Sequence, residues 1–135
     1  CWVNIYYDKE IDYAEIFFKK CENYGEDVGN GVVVFKSEDD DDVVGYGFES
    51  ALTSVFNFQE LPSRAKLAFL LKATRELNGY TQEQVIKRLE GASGRQYQRA
   101  EAGENISLDV LDEIKVAMPE ADFSKVFHQI ENKIA

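Results

Sequence analysis

The sequence predicts an α+β chain in which a small antiparallel β-meander precedes an all-α module of five short helices. Two observations predict it. Up to residue 50, apolar residues alternate with polar ones or form short runs, and from residue 63 they recur at helical spacing. Pro62 marks the boundary between the two patterns, because proline disfavours helix at the residue before it. The predicted modules are residues 1–58 and 59–135.

Four segments of the first module have the composition of strands. Residues 2–7 are β-branched and aromatic, residues 12–20 alternate in character, and residues 31–36 and 43–48 are short apolar runs. Residues 25–30 contain two glycines and are predicted to be a loop, while the acidic run at residues 38–42 is predicted to be a polar hairpin turn. Residues 52–58 are apolar and ambiguous between a short helix and a connector.

The five predicted helices follow from stripes of apolar residues and from their end signals. The first begins at residue 63, carries Leu67, Leu70, Leu71 and Thr74 on one face, and stops at residues 78–79. Thr81 and Gln84 have the spacing of a capping box for the second helix, residues 81–89. The remaining three are predicted over residues 94–102, with a cap at residue 93, over 107–118, and over 122–130.

Charge is distributed unevenly along the chain. The net charge is −10, and residues 1–60 alone contain 14 acidic and 4 basic side chains. Residues 61–99 instead contain 8 basic and 3 acidic side chains. Such asymmetry indicates two modules with separate partners, and the acidic first module is predicted to carry dimerisation or partner binding.

The second and third predicted helices form the pattern that carries function. Only residues 90–93, with Gly91 among them, separate the two helices, which is typical of a helix-turn-helix whose second helix enters the DNA major groove. Arginine pairs with guanine and glutamine with adenine in bidentate geometry. Lys72 and Arg75 add positive charge nearby. The candidate DNA-binding residues are Gln82, Lys87, Arg88, Ser93, Arg95, Gln96, Gln98 and Arg99.

Residues 66–118 resemble the Cro/repressor-type helix-turn-helix family, also called the xenobiotic-response-element family. Residues 77–85 are similar to its R-x-x-x-G-x-T-Q-x-x-L-A opening, residues 91–93 to its G-V-S turn, residues 97–104 to I-S-R-I-E-R-G-E, and residues 107–111 to S-L-E-T-L. The resemblance implies a lambda-repressor-like fold for the all-α module. It also implies that Ser93, Arg95, Gln96 and Gln98 read bases and that Gln82 contacts the DNA backbone.

Three positions depart from that family pattern. Ile86 replaces a small alanine that lets the second and third helices pack closely. Tyr97 and Ala100 replace branched aliphatic residues. These departures suggest a repacked core and leave the angle between the two helices open.

The first module is similar to a small β-domain family without an assigned chemistry, over residues 3–51. The resemblance is carried by residues 7–16, 31–34 and 42–48. A small β-domain fused to a repressor-type helix-turn-helix is, by analogy, the layout of antitoxins from bacterial toxin–antitoxin pairs.

Enzyme chemistry, metals and cofactors are not expected. The only histidine is His128, so no Ser/His/Asp or Cys/His set can be assembled, and Cys1 and Cys21 do not form a metal-binding pair. The acidic run lacks the glycine and the distal glutamate of a calcium loop. No apolar run reaches the length of a membrane helix, so we expect a cytoplasmic protein without a membrane partner.

The sequence therefore predicts a sequence-specific transcriptional regulator, a repressor or an antitoxin-type autoregulator. It would bind an inverted-repeat operator in double-stranded DNA as a homodimer, with the third predicted helix in the major groove. The alternative is a protein-binding module that neutralises a basic toxin through the acidic β-domain and has little independent DNA binding.

Overall fold

A computed structural model describes residues 3–91 and 93–127 of the protein. Its strands are β1 (Asn4–Asp8), β2 (Tyr13–Phe17), β3 (Asn23–Gly29), β4 (Val32–Ser37) and β5 (Val43–Glu49). Its α-helices are α1 (Ala51–Asn57), α2 (Ser63–Leu77), α3 (Gln82–Ile86), α4 (Gly94–Glu101) and α5 (Leu108–Ala117), and a 3-10 turn follows at Phe123–Lys125.

The five strands form one antiparallel sheet in the order β1-β2-β5-β4-β3. Alternate residues of β1, β2 and β5 point to a buried face, among them Ile5, Ala14, Ile16 and Phe48. This face packs against α1 and α2 in one hydrophobic core. The opposite face of the sheet contributes no residue to either hydrophobic core of the described chain.

Helix α2 is buried along two stripes that face different cores. Ala65, Ala68, Phe69 and Ala73 pack on the sheet, and the ring of Phe69 meets Tyr7 edge-on at 5.3 Å between centroids. The predicted stripe of Leu67, Leu70, Leu71 and Thr74 is also buried, which confirms it, and its three leucines pack against α3, α4 and α5. Each stripe keeps the i, i+3 and i+4 spacing of one helix face, and the two stripes lie on adjacent faces. One helix therefore packs into both cores.

The predicted β-meander is wrong, because the sheet has five strands and a crossed order. Residues 23–29, whose glycine-containing part was predicted to be a loop, form β3 at the sheet edge, where all but the first residue are exposed. An edge strand with no buried side lacks the apolar alternation that reveals strands in sequence. The chain also places β5 beside β2, so β2 and β3 lie on opposite sides of the β4–β5 pair.

The predicted all-α, five-helix, lambda-repressor-like module is wrong as well. One of the five α-helices, α1, lies before Pro62 and packs on the sheet, which resolves the ambiguous residues 52–58 in favour of a helix. Of the predicted helix over residues 122–130, residues 123–125 form a 3-10 turn and residues 128–130, with His128, lie outside the described chain. The division of the chain at residues 58 and 59 stays a prediction.

Local turns follow the sequence more closely. The acidic run forms a polar turn in which the Asp42 amide donates to Asp40 and the Ser37 amide donates to the Asp42 carbonyl. Gly79 ends α2 with a left-handed φ of 72°. A register shift between β4 and β5 follows Phe35, which pairs with Gly45, so the ladder is irregular beside the first of the two glycines of β5.

Candidate nucleic-acid interface

Helices α3 and α4 each begin with a complete capping box. The Thr81 hydroxyl accepts from the Gln84 amide at 3.1 Å, and the Gln84 side chain accepts from the Thr81 amide at 2.9 Å. Ser93 and Gln96 make the same reciprocal pair at 3.3 and 3.2 Å. Because each box satisfies two orphan amides, the first turns of both helices are fixed in orientation. The caps predicted at Thr81 and Ser93 are confirmed.

A glycine accommodates the bulky residue at the contact between α3 and α4. A Cβ atom on Gly94 would lie 2.8 Å from Cγ2 of Ile86, so only glycine leaves room there. Val85, Tyr97 and Ala100 are buried beneath this contact. Close packing of the two helices therefore depends on the missing side chain of Gly94 on α4, and not on a small residue at position 86 on α3.

A buried ion pair connects α2 to the end of α4. Arg75 donates from Nε to Glu101 Oε2 at 2.9 Å and from a terminal nitrogen to Oε1 at 3.0 Å. The two side chains are only 12% and 6% exposed. Burial alone would lower the pKa of Arg75, but the hydrogen bonds and charge of Glu101 raise it overall. Arg75 thus serves the fold and does not belong to the exposed positive charge that the sequence suggested.

The same pair holds Gln82, the candidate for a contact to the DNA backbone. The Gln82 side chain donates from Nε2 to Glu101 Oε1 at 3.1 Å and is half-buried. Tyr97 lies in this region, fully buried, and its hydroxyl has no hydrogen-bond partner within the described chain. Burial raises the pKa of Tyr97, and the charge of Glu101 adds to the increase. A polar cluster therefore fixes the start of α3 against α4.

The outward face of α4 carries the remaining candidates. The side chains of Arg95 and Gln98 are exposed and make no hydrogen bond or ion pair with another described residue. Arg99 is exposed and lies 3.8 Å from Glu104, too far for a strong ion pair. Gln96 is exposed, with its oxygen in the capping box and its amide nitrogen left as a donor. These side chains form an accessible row of donors and acceptors along one helix.

Two basic candidates lie near the end of α3 and have different surroundings. Lys87 is exposed and makes no ion pair with a described residue. The Arg88 guanidinium lies 4.4 Å from the centre of the Tyr80 ring and donates to the Ala117 carbonyl at 3.4 Å. Arg88 therefore already contacts protein, whereas Lys87 is available to an anionic ligand.

The structure thus brings Ser93, Arg95, Gln96, Gln98 and Arg99 together on α4 and directs Gln82 toward protein. Sequence reasoning missed the roles of Arg75 and Glu101. The two residues lie 26 positions apart, so no local pattern pairs them.

Comparison with known protein families, curated proteins and solved structures finds no match to this chain. In the described part of the chain, no helix has the length and apolar character to cross a membrane. Residues 3–91 and 93–127 also contain no group of three or more His, Cys, Asp or Glu side chains placed to hold a metal ion.

Proposed function

We propose that the protein is a sequence-specific DNA-binding regulator that inserts α4 into the major groove. The observation that carries the proposal is the exposed row of Arg95, Gln98 and Arg99 on a helix whose opposite face is locked by Tyr97 and Ala100. Arginine and glutamine on a rigid helix are the side chains that pair bidentately with guanine and adenine. The motif resemblance of residues 66–118 to a DNA-binding family supports the same function.

The acidic sheet contacts α4 at its C-terminal end, away from the proposed base-contacting residues near its start. The Val3 amide donates to the Ala102 carbonyl at 2.9 Å, so β1 approaches α4 at its C-terminal end. Ala102 lies about 12 Å along the helix from Gly94, at a rise of about 1.5 Å per residue. Arg95, near the start of α4, is thus separated from this contact by most of the helix length.

We assign the protein to the repressors or antitoxin-type autoregulators, acting in the cytoplasm as a homodimer on an inverted repeat. Two copies related by a two-fold axis would present their α4 helices to half-sites about 34 Å apart, one turn of B-DNA. Such a regulator would need no cofactor and would catalyse no reaction.

Fluorescence anisotropy tests the proposal on DNA from upstream of the protein's own coding sequence and on scrambled DNA of the same composition. At about 50 and 200 mM salt we expect a preference of about a thousandfold for the first DNA and a steep salt slope. Gln98→Ala should reduce that preference. The matched control is Gln59→Ala, which changes an exposed glutamine in the loop between α1 and α2. Equal binding to both DNAs, or equal behaviour of the two variants, contradicts the proposal.

A second candidate function is protein binding through the first half of the chain. Residues 1–60 combine 14 acidic with 4 basic side chains, a balance that repels phosphates and attracts a basic protein such as a toxin. An autoregulating antitoxin would combine this function with DNA binding.

A further inference from the structure

The sheet face that points away from the helices is covered by aromatic side chains. Strand alternation places Tyr6, Tyr13, Phe17, Val33 and Phe35 on this side, because their neighbours along each strand point to the other face. We call these five residues the aromatic face. Tyr6 is 55% exposed, and the other four are half-buried.

Two glycines of β5 make room for the rings of the aromatic face. A Cβ atom on Gly45 would lie 2.5 Å from Cδ1 of Phe17, and one on Gly47 would lie 2.6 Å from the Tyr13 hydroxyl. Phe17 on β2 and Phe35 on β4 flank β5. The centroids of their rings lie 4.9 Å apart, and the ring planes are tilted by 34°. A ring that covers a glycine backbone exposes its other side, so this face presents π-surfaces to solvent.

All the charged residues at outward strand positions are acidic. Glu15 lies beside Tyr6 and accepts from the Tyr13 hydroxyl at 2.8 Å, and Glu49 pairs in register with Tyr13. Burial, the hydrogen bond to Glu15 and the charges of Glu15 and Glu49 together raise the pKa of Tyr13 to about 12. The only basic residue within the five strands, Lys36, forms an ion pair with Glu26 at 2.9 Å on the opposite side of the sheet.

This combination selects the partner by its chemistry. A second copy would bring like charges together, and a nucleic acid would bring its phosphates against the carboxylates. A guanidinium group, in contrast, stacks on an aromatic ring and pairs with a carboxylate at the same time. We propose that the aromatic face and its carboxylates Glu15 and Glu49 form a docking surface for a basic protein segment that presents arginine side chains. This inference gives a surface to the second candidate function and is independent of DNA binding through α4.

Peptide titration of the 135-residue protein, followed by amide chemical shifts, tests the surface. The probe is a synthetic twelve-residue peptide of alternating arginine and serine, and the matched cation is the lysine–serine peptide. We expect shifts centred on the amides of Gly45 and Gly47, and binding of the arginine peptide about threefold or more tighter than that of the lysine peptide. Shifts centred elsewhere overturn the proposal.

Paired charge variants separate a specific surface from general attraction to an acidic chain. The double variant Glu15→Gln/Glu49→Gln should weaken arginine-peptide binding about fivefold or more. The matched double variant Glu38→Gln/Asp39→Asn removes two exposed carboxylates from the β4–β5 turn, so its effect should stay below about twofold. Equal losses in the two double variants overturn the proposal.

A third variant tests the rings without changing charge. Phe17→Leu keeps an apolar side chain over Gly45 and removes one π-surface, so it should weaken the arginine peptide more than the lysine peptide. Thermal melts of each variant establish that it is folded. Concentration-dependent self-association through this face, or shifts of the same amides on adding DNA, overturns the proposal. Arg95→Ala should leave peptide binding unchanged, so loss of DNA binding and loss of docking are observed separately.

Discussion

Arginine and glutamine side chains have different roles on the two sides of α4. On the inward face, Glu101 binds Arg75 of α2 and Gln82 of α3. The Arg75 and Glu101 side chains are almost fully buried. On the outward face, the side chains of Arg95 and Gln98 are exposed and have no ion pair or hydrogen bond within the described chain. The difference shows that the presence of arginine and glutamine does not by itself indicate a DNA-binding surface. Burial distinguishes the side chains that stabilise the fold from those that are available to a ligand. Three substitutions test this distinction, and a fourth tests the contact between α3 and α4.

Arg75→Met should have the largest effect, and on stability. Removing the arginine leaves the Glu101 carboxylate buried beside Gln82 without its positive partner, which costs about 3 kcal/mol of unfolding free energy. Chemical denaturation measures this loss. The control Arg95→Met changes an exposed arginine on the same helix pair and should alter stability by less than about 0.5 kcal/mol. A stable Arg75→Met protein that has lost only DNA affinity would reverse the assignment of the two faces.

Arg95→Ala should act on binding and leave folding unchanged. Because the side chain is exposed, its removal costs no packing, but it deletes a bidentate partner for a base, worth about 2 kcal/mol of affinity for the preferred DNA. Anisotropy titrations with preferred and scrambled DNA measure the change in specificity. Equal losses on both DNAs would remove Arg95 from base recognition and make it a phosphate contact.

How far the sequence predicts this molecule depends on how local each interaction is. The caps at Thr81 and Ser93 and the leucine stripe of α2 are encoded within one or two turns, and the structure confirms them. Strand β3 was missed because its side chains are exposed and glycine interrupts its pattern. The sheet order was missed because pairing between β2 and β5 joins segments about thirty residues apart, which no local pattern records.

The candidate site shows the same limit at single residues. The sequence displays Ile86 as an unusually large side chain for its position, but the compensating glycine, Gly94, is recognisable only once the helices are packed. The Arg75–Glu101 pair is likewise invisible without the fold. The exposed residues of α4, in contrast, follow from helical spacing once Tyr97 and Ala100 are assigned to the core.

Gly94→Ala should have an intermediate effect that a second substitution reverses. The new methyl group lies within 2.8 Å of the stiff, β-branched Ile86 side chain, and the strain outweighs the better helix propensity of alanine by about 1 kcal/mol. Ile86→Ala removes the opposing methyl group. Denaturation of both single variants and the double variant forms a cycle, in which we expect the double variant to be more stable than the sum of single losses predicts. Strict additivity would mean that the two residues do not touch.

Lys87→Ala should have the smallest effect and should not distinguish one DNA sequence from another. The side chain is exposed at the end of α3, so we expect it to contact a phosphate, and its loss should weaken all DNA by about twofold to threefold. The plot of log affinity against log salt should become less steep by about one, because one fewer counterion is released. Lys20→Ala, an exposed lysine that follows β2, serves as the matched control and should leave both affinity and slope unchanged. If the two lysine variants lower affinity equally, the positive charge acts through the net charge of the protein, and Lys87 makes no contact of its own with the DNA backbone.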